Sequence, residues 1–229
     1  MSEEDIWIYD RLSPDFINLG NPVKLAATAV PNQTDLTTRL GGWLFRHRTV
    51  LPGPVALAIV LLPGSTSASP FIAGAGVAIT IVGELVRLWG VHHIGAISRT
   101  RSERLGPLVA NGPFALVRNP LYVGNILLWV GFAIAARLLW LAPVILVLLA
   151  LEYHAIVRWE ETLLESRLGQ AYRDYAARVP RWIPSFNRGD RGLRRATDGF
   201  SWSATLFSER GTLIAIAGGY LLLWMKAQG

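Results

Sequence analysis

The chain contains no cysteine among its 229 residues. That excludes disulfides, thiolate metal sites and cysteine nucleophiles. It is also poor in charge. Asp, Glu, Lys and Arg make up 17% of it, against about 25% in an ordinary soluble domain. Long apolar runs account for the deficit, since 52% of the residues are hydrophobic. The length fits a single domain. The first ten residues, Met1 to Asp10, are acidic and lack an apolar core, so a signal peptide is not expected. What charge there is has one prevailing sign, with a net of +6. In a soluble protein this would raise nucleic-acid binding; in a membrane protein it follows from the bias of basic residues toward the cytosol.

Five apolar stretches organise the chain: residues 50–62, 70–91, 121–136, 138–153 and 212–225. Crossing a bilayer as a helix takes about 20 residues, so the first and last are short. Pro52 and Pro54 are expected to kink the first, and Arg137 alone separates the third from the fourth, which predicts a tight helical hairpin. Residues 1–48 are polar, with helix-breaking Pro14, Pro22 and Pro31, and read as a cytosolic extension. If residues 1–48, 92–120 and 154–210 face the cytosol, then Arg39, Arg46, Arg48, Arg99, Arg101, Arg104 and Arg118 lie inside. So does the basic run from Arg158 to Arg210, leaving Arg137 and Lys226 outside. That asymmetry favours five spans with the N-terminus inside, and it places the basic residues beside anionic lipid rather than on nucleic acid.

Two cytosolic segments carry more than connection. Residues 104–124 contain Gly106-Pro107, Gly112-Pro113 and Asn119-Pro120, each a turn or helix-boundary signal. Pro120 presets a helix start with Asn119 as its cap, and the exposed N–H groups beside Arg118 would attract a carboxylate or phosphate. Residues 152–184 read as a membrane helix continuing out of the bilayer. Glu160 and Glu161 follow Arg158, Leu163, Leu164 and Leu168 recur at helical spacing, Gly169 ends the helix, and Tyr172 and Tyr175 share a face. Carboxylates beside an arginine can bind an ammonium group or ribose hydroxyls, or simply form a salt-bridged helix end.

Other features read as structural or stay open. Gly74 to Ile79 resembles a glycine-rich nucleotide loop, but no strand precedes it, so close helix packing is expected. His47, His92, His93 and His154 show no metal-ligand spacing, and His92 and His93 point to different helix faces. Glu84 and Arg87 can pair at three-residue spacing, and Glu152 and His154 lie at a corresponding depth. Such groups inside a membrane are either functional or snorkelling at the interface.

The motifs in order resemble one family. Gly112-Pro113-Phe114 is followed by Arg118-Asn119-Pro120-Leu121-Tyr122-Val123-Gly124 and then a hydrophobic hairpin. Next come Glu160-Glu161, Leu163, Leu164, Gly169, Tyr172, Tyr175 and Pro180. This pattern, covering about residues 84–184, resembles the isoprenylcysteine carboxyl methyltransferase and phospholipid methyltransferase superfamily. The resemblance implies an all-α polytopic membrane protein. About five transmembrane helices would frame a cytosolic pocket made of helix ends and a C-terminal amphipathic segment. The resemblance covers a motif core at 84–184 of a membrane methyltransferase domain expected over 49–229; outside the match, the residues themselves read as a polar extension over 1–48 and an additional membrane helix at 211–226.

It also implies S-adenosylmethionine as cofactor, a lipophilic small molecule or lipid as acceptor, and a prokaryotic cytoplasmic membrane as location. Leu108, Val109, Gly112, Pro113, Phe114, Arg118, Asn119, Pro120 and Tyr122 would line the cofactor pocket. Glu160 and Glu161 would bind its polar groups, and Arg158 and Glu161 are the expected catalytic residues. Asn119 stands where the family has histidine and Phe114 where it has tyrosine; Ile156 occupies the expected place of an arginine. The implied chemistry is direct displacement, with Arg158 orienting a carboxylate acceptor, or Glu161 or His154 taking a proton from an amine. The competing readings are an NADPH-dependent membrane reductase of the sterol-reductase type and a non-catalytic protein of the same fold.

Overall fold

The computed structural model describes residues 36–48, 52–65, 69–94, 108–186 and 201–228. Expectations for residues 1–35, Arg99, Arg101 and 104–107 lie outside them. Among the described residues there are seven α-helices and no strand. They are α1 (Leu36–His47), α2 (Pro52–Leu61), α3 (Pro70–Ile94), α4 (Pro120–Ala135), α5 (Leu141–Leu168), α6 (Gln170–Arg178) and α7 (Trp202–Gln228). The protein is thus all-helical and built for a membrane. By length and composition α3, α5 and α7 can each cross one, and α1 with α2 would make a fourth span bent by 65°. By this measure the described residues hold three spans, or four with the bent pair, and not the expected five. The remaining apolar helix, α4, has 16 residues and reaches only about 24 Å at 1.5 Å per residue. A hydrocarbon core is about 30 Å thick.

The tightest packing joins α3 to α4. Gly76, Gly83 and Gly90 recur every seven residues on α3 and face the end, middle and start of α4, so the two helices run antiparallel. A Cβ at Gly83 would stand 2.8 Å from the Gly124 carbonyl oxygen and 2.9 Å from the Leu128 nitrogen. In lipid, apolar surface gives helices no reason to associate, and small residues that allow close backbone contact supply it instead. The glycine-rich run in α3 is therefore a packing device at Gly76, whereas Gly74 faces open space.

The hairpin at Arg137 is as tight as its sequence implied. Arg137 adopts a left-handed conformation, φ 59°. Its N–H donates to the Ile134 carbonyl and the Leu138 N–H to that of Ala133. This is a Schellman termination of α4, with arginine where glycine is usual and Leu138 buried beside it. Helix α5 then runs 28 residues, about 42 Å at the α-helical rise, so it overshoots the bilayer before Gly169 ends it. Helix α7 begins at Trp202, nine residues ahead of the expected 211. The extra turns carry Glu209, whose charge is met by Arg87 of α3 at 2.7 Å. Near the far end of the bundle, Tyr220 donates to Thr80 and Lys226 to the Ile59 carbonyl, so α7 lies antiparallel along α3.

A methyl group at Gly83 would press on the backbone of Gly124 and Leu128 and on the Leu127 Cβ at 3.0 Å, while one at Gly74 meets nothing within 4 Å. Gly83→Ala should cost about 1–3 kcal/mol of stability, read as a lowered thermal midpoint in detergent, and Gly74→Ala should leave the midpoint unchanged.

Candidate functional site

The site assembles where α4 begins, α5 overshoots and the chain beyond α6 folds back. Gly112, at φ 56°, opens a 3-10 turn over Gly112–Ala115, with Pro113 and Phe114 buried. The His93 imidazole from the end of α3 occupies the space a Cβ would need at Gly112. His92 turns the other way and stacks on Trp202 of α7 at 4.1 Å, so the two histidines do serve different faces.

After α6, residues 180–185 form a strap across this first segment. The Arg118 N–H donates to the Pro180 carbonyl at 2.9 Å and the Ser185 N–H to that of Leu116 at 2.9 Å. Tyr175 Oη donates to the Phe114 carbonyl at 2.8 Å. Asn119 precedes Pro120 at the start of α4 as expected, but its side chain makes no capping bond. Its Nδ2 donates instead to the Arg181 carbonyl at 3.2 Å, tying the strap to the helix start.

Glu161 sits at the junction. Arg118 Nη1 approaches it at 2.8 Å from one side. Arg181 takes both carboxylate oxygens from the other, Nε at 3.0 Å and Nη2 at 2.6 Å. The fork geometry suits arginine, whose planar donors match a carboxylate two-for-two. Glu160, one residue earlier, points to α4 and accepts from Tyr122 Oη at 2.9 Å. Tyr122 in turn packs on Tyr153 at 4.7 Å between ring centres.

Burial pushes the Tyr172 hydroxyl up to about 12, with the Glu161 charge adding to the effect, and burial raises Tyr175 further. Both phenols therefore stay protonated. The hydrogen bonds that Arg181 donates to Glu161 raise its pKa and keep it a cation.

The structure thus gathers Phe114, Arg118, Asn119, Pro120 and Tyr122 with Glu160 and Glu161, while Leu108 and Val109 lie half-buried in the run leading in. Arg158 is exposed on α5, and the guanidiniums of Arg118 and Arg181 both meet Glu161. Arg181 escaped the sequence reading because it lies in a proline-flanked tail with no periodicity. The pairing of Glu84 with Arg87 is present at 3.4 Å, and Glu209 and Thr212 of α7 and Asn125 of α4 join it. Glu152 is buried. His154 lies elsewhere, 6.5 Å from the Trp182 ring, on an apolar cleft of about 390 Å³ between α4 and α5. Val123, Ile126, Leu127, Ala150 and Leu151 complete that cleft. It stands beside the junction of the two segments, which is itself filled by the Glu161 clamp.

The model of the phospholipid methyltransferase family matches residues 72–171, from within α3 to the start of α6. The chain belongs to this family. The cobalt-zinc-cadmium resistance protein CzcN of Cupriavidus metallidurans is similar to it, 30% identical over 164 residues, 68% of this chain and 73% of that protein. The nickel-cobalt-cadmium resistance protein NccN of Alcaligenes xylosoxydans xylosoxydans is 36% identical over 109 residues. That match covers 48% of this chain and 46% of NccN, so the chain spans less than half of that relative.

Tyr175→Phe would strip the Phe114 carbonyl of its buried donor. The expected cost is about 1–3 kcal/mol, seen as a lower thermal midpoint, with the strap residues 180–185 gaining hydrogen-exchange rate.

Proposed function

We propose that the chain is a membrane methyltransferase that moves a methyl group from S-adenosylmethionine to a lipophilic acceptor. One observation carries the reading. Family motifs about forty residues apart meet at Glu160 and Glu161, where carboxylates, guanidiniums and a phenol face one another at the water-facing end of α5. The residues present fit the cofactor. Its amino-acid end carries an ammonium and a carboxylate, and the clamp offers a carboxylate and two guanidiniums that can exchange partners with it. Two buried polar atoms at the first segment, Asn111 Oδ1 and Arg118 Nε, have no hydrogen-bond partner, which suits a polar ligand beside them.

Bound there, S-adenosylmethionine would supply a methyl group already activated on a sulfonium. The chain's part is then placement and exclusion of water. Gly112, Pro113 and Phe114 with Leu108 and Val109 would form the wall, and Asn119 and Pro120 its floor at the start of α4. Arg118 would hold the carboxylate; Glu160 and Glu161 would accept from the ammonium and ribose hydroxyls, with Tyr122 fixing Glu160. The acceptor would arrive from the bilayer through the α4–α5 cleft. His154 of that cleft can take a proton from an amine, and Arg158, exposed one turn further along α5, can orient a carboxylate. The site is read as facing the cytosol of a bacterial membrane, where the donor is made.

The relatives' names add a setting: resistance to cobalt, zinc, cadmium and nickel. Under this reading the chain contributes to such resistance by methylating a membrane component.

Purified protein in nanodiscs should bind S-adenosylhomocysteine by calorimetry and should not bind NADPH. Absence of binding in several lipids would remove the methyltransferase reading, and NADPH binding would favour the reductase. Glu161→Ala should weaken S-adenosylhomocysteine by roughly ten- to a hundredfold, the value of one or two charge-assisted hydrogen bonds; unchanged affinity would reject the residue assignment. In cells, deleting the gene should lower tolerance to cobalt, zinc or cadmium. The wild-type chain should restore it and Glu161→Ala should not.

A further inference from the structure

Helix α1 presents two opposed faces. Thr38, Gly41, Gly42 and Phe45 are buried and seat the helix on α5. The Phe45 ring lies 4.9 Å from that of Trp159, and a Cβ at Gly42 would stand 2.9 Å from the Trp159 indole nitrogen. The opposite face carries Leu36, Leu40 and Trp43, which are 79%, 53% and 51% exposed. Spaced by four and three residues, they form one ridge. Exposed Arg39 and Arg46 run along one flank of that ridge, seven residues apart, and Trp43 stacks on exposed His47 at 4.5 Å. The helix contains no acidic residue.

Position narrows what can cover this ridge. Helix α1 docks on Ala155 and Trp159, where the apolar run of α5 gives way to Arg158, Glu160 and Glu161. That is the level at which α5 leaves the hydrocarbon. A ridge of Leu and Trp flanked by arginines, at the level where the apolar run of α5 ends, matches the pattern of helices that lie in a lipid interface. A second copy packed ridge to ridge about a two-fold axis would bring its own Arg39 and Arg46 beside these, a like-charge contact.

We propose that α1 is an interfacial helix that binds anionic lipid. Leu36, Leu40 and Trp43 enter the headgroup–acyl boundary, and Arg39 and Arg46 hold lipid phosphates of the leaflet at the site's end of the bundle. Helix α1 precedes the family match at residues 72–171, so this contact belongs to the chain's own N-terminal side. It also bears on the site, because Arg48 directly after α1 lies within electrostatic reach of Glu160 and Tyr122. Lipid that holds α1 in place holds Arg48 there too. The inference needs only the helical bundle and stands apart from the methyl-transfer reading.

The absence of cysteine makes the test direct. A single Leu40→Cys takes one nitroxide label on the full chain, with Leu36→Cys as a second site should the first variant fold poorly. In nanodiscs of phosphatidylcholine with phosphatidylglycerol, power saturation should show the label meeting oxygen in preference to a water-soluble nickel chelate. Leaving out phosphatidylglycerol should shift it toward the chelate. Arg39→Gln with Arg46→Gln should abolish that lipid dependence. A label that prefers the chelate in both lipids overturns the proposal. So does one indifferent to phosphatidylglycerol, or one whose spectrum is broadened by a neighbouring copy.

Discussion

Two guanidiniums closing on the Glu161 carboxylate hold three separated stretches of chain together: the run before α4, the overshoot of α5 and the strap after α6. Arg118 and Glu161 each expose only 14% of their side chains. At that depth the loss of water from each charge is costly and must be met by well-placed partners. The clamp meets it with a bidentate fork on one side and a single contact on the other. Removing either arginine leaves a partly buried charge short of partners, which is why the backbone bonds of the strap and the position of α4 depend on this one junction.

The lipid-embedded part obeys a different rule. Helices α3 and α4 touch through glycine and backbone, and α7 is attached through polar groups at three depths: His92 with Thr205, Arg87 with Glu209, and Thr80 with Tyr220. In a medium without water, such groups find partners across helices and fix register. The closely packed pair α3–α4 then delivers His93 over Gly112 and sets the start of α4, so the packing of apolar helices positions the polar junction at their ends.

The departures from the family pattern have structural counterparts. Asparagine at 119, where histidine is usual, uses an amide N–H to bind the strap at the Arg181 carbonyl. Phenylalanine at 114 offers no hydroxyl, and its carbonyl takes the hydrogen bond of Tyr175. Both positions join the first segment to the second through backbone acceptors, which depend little on the identity of the side chain that supplies the backbone.

Much was legible in the sequence because it rests on local or periodic rules. Apolar runs located the helices, Arg137 between two runs marked the hairpin, Gly169 ended α5, and the order of Gly-Pro-Phe, Arg-Asn-Pro and Glu-Glu identified the family. Tyr172 and Tyr175 shared a buried face as their spacing required. What remained hidden was pairing at long range. Arg118 and Arg181 lie far from Glu161 in sequence yet close on its carboxylate, and only the packing of three separate stretches brings them within reach. The early start of α7, and the docking of α1 within a stretch expected as a polar extension, had the same cause. Charges such as Glu209 read as solvent-facing until a partner on another helix, here Arg87, removes the penalty for burying them. Apolar runs determined most of the helices, and the resemblance of the ordered motifs pointed to the family; the tertiary structure alone decided which charge neutralises which, since that depends on distances the chain order does not contain.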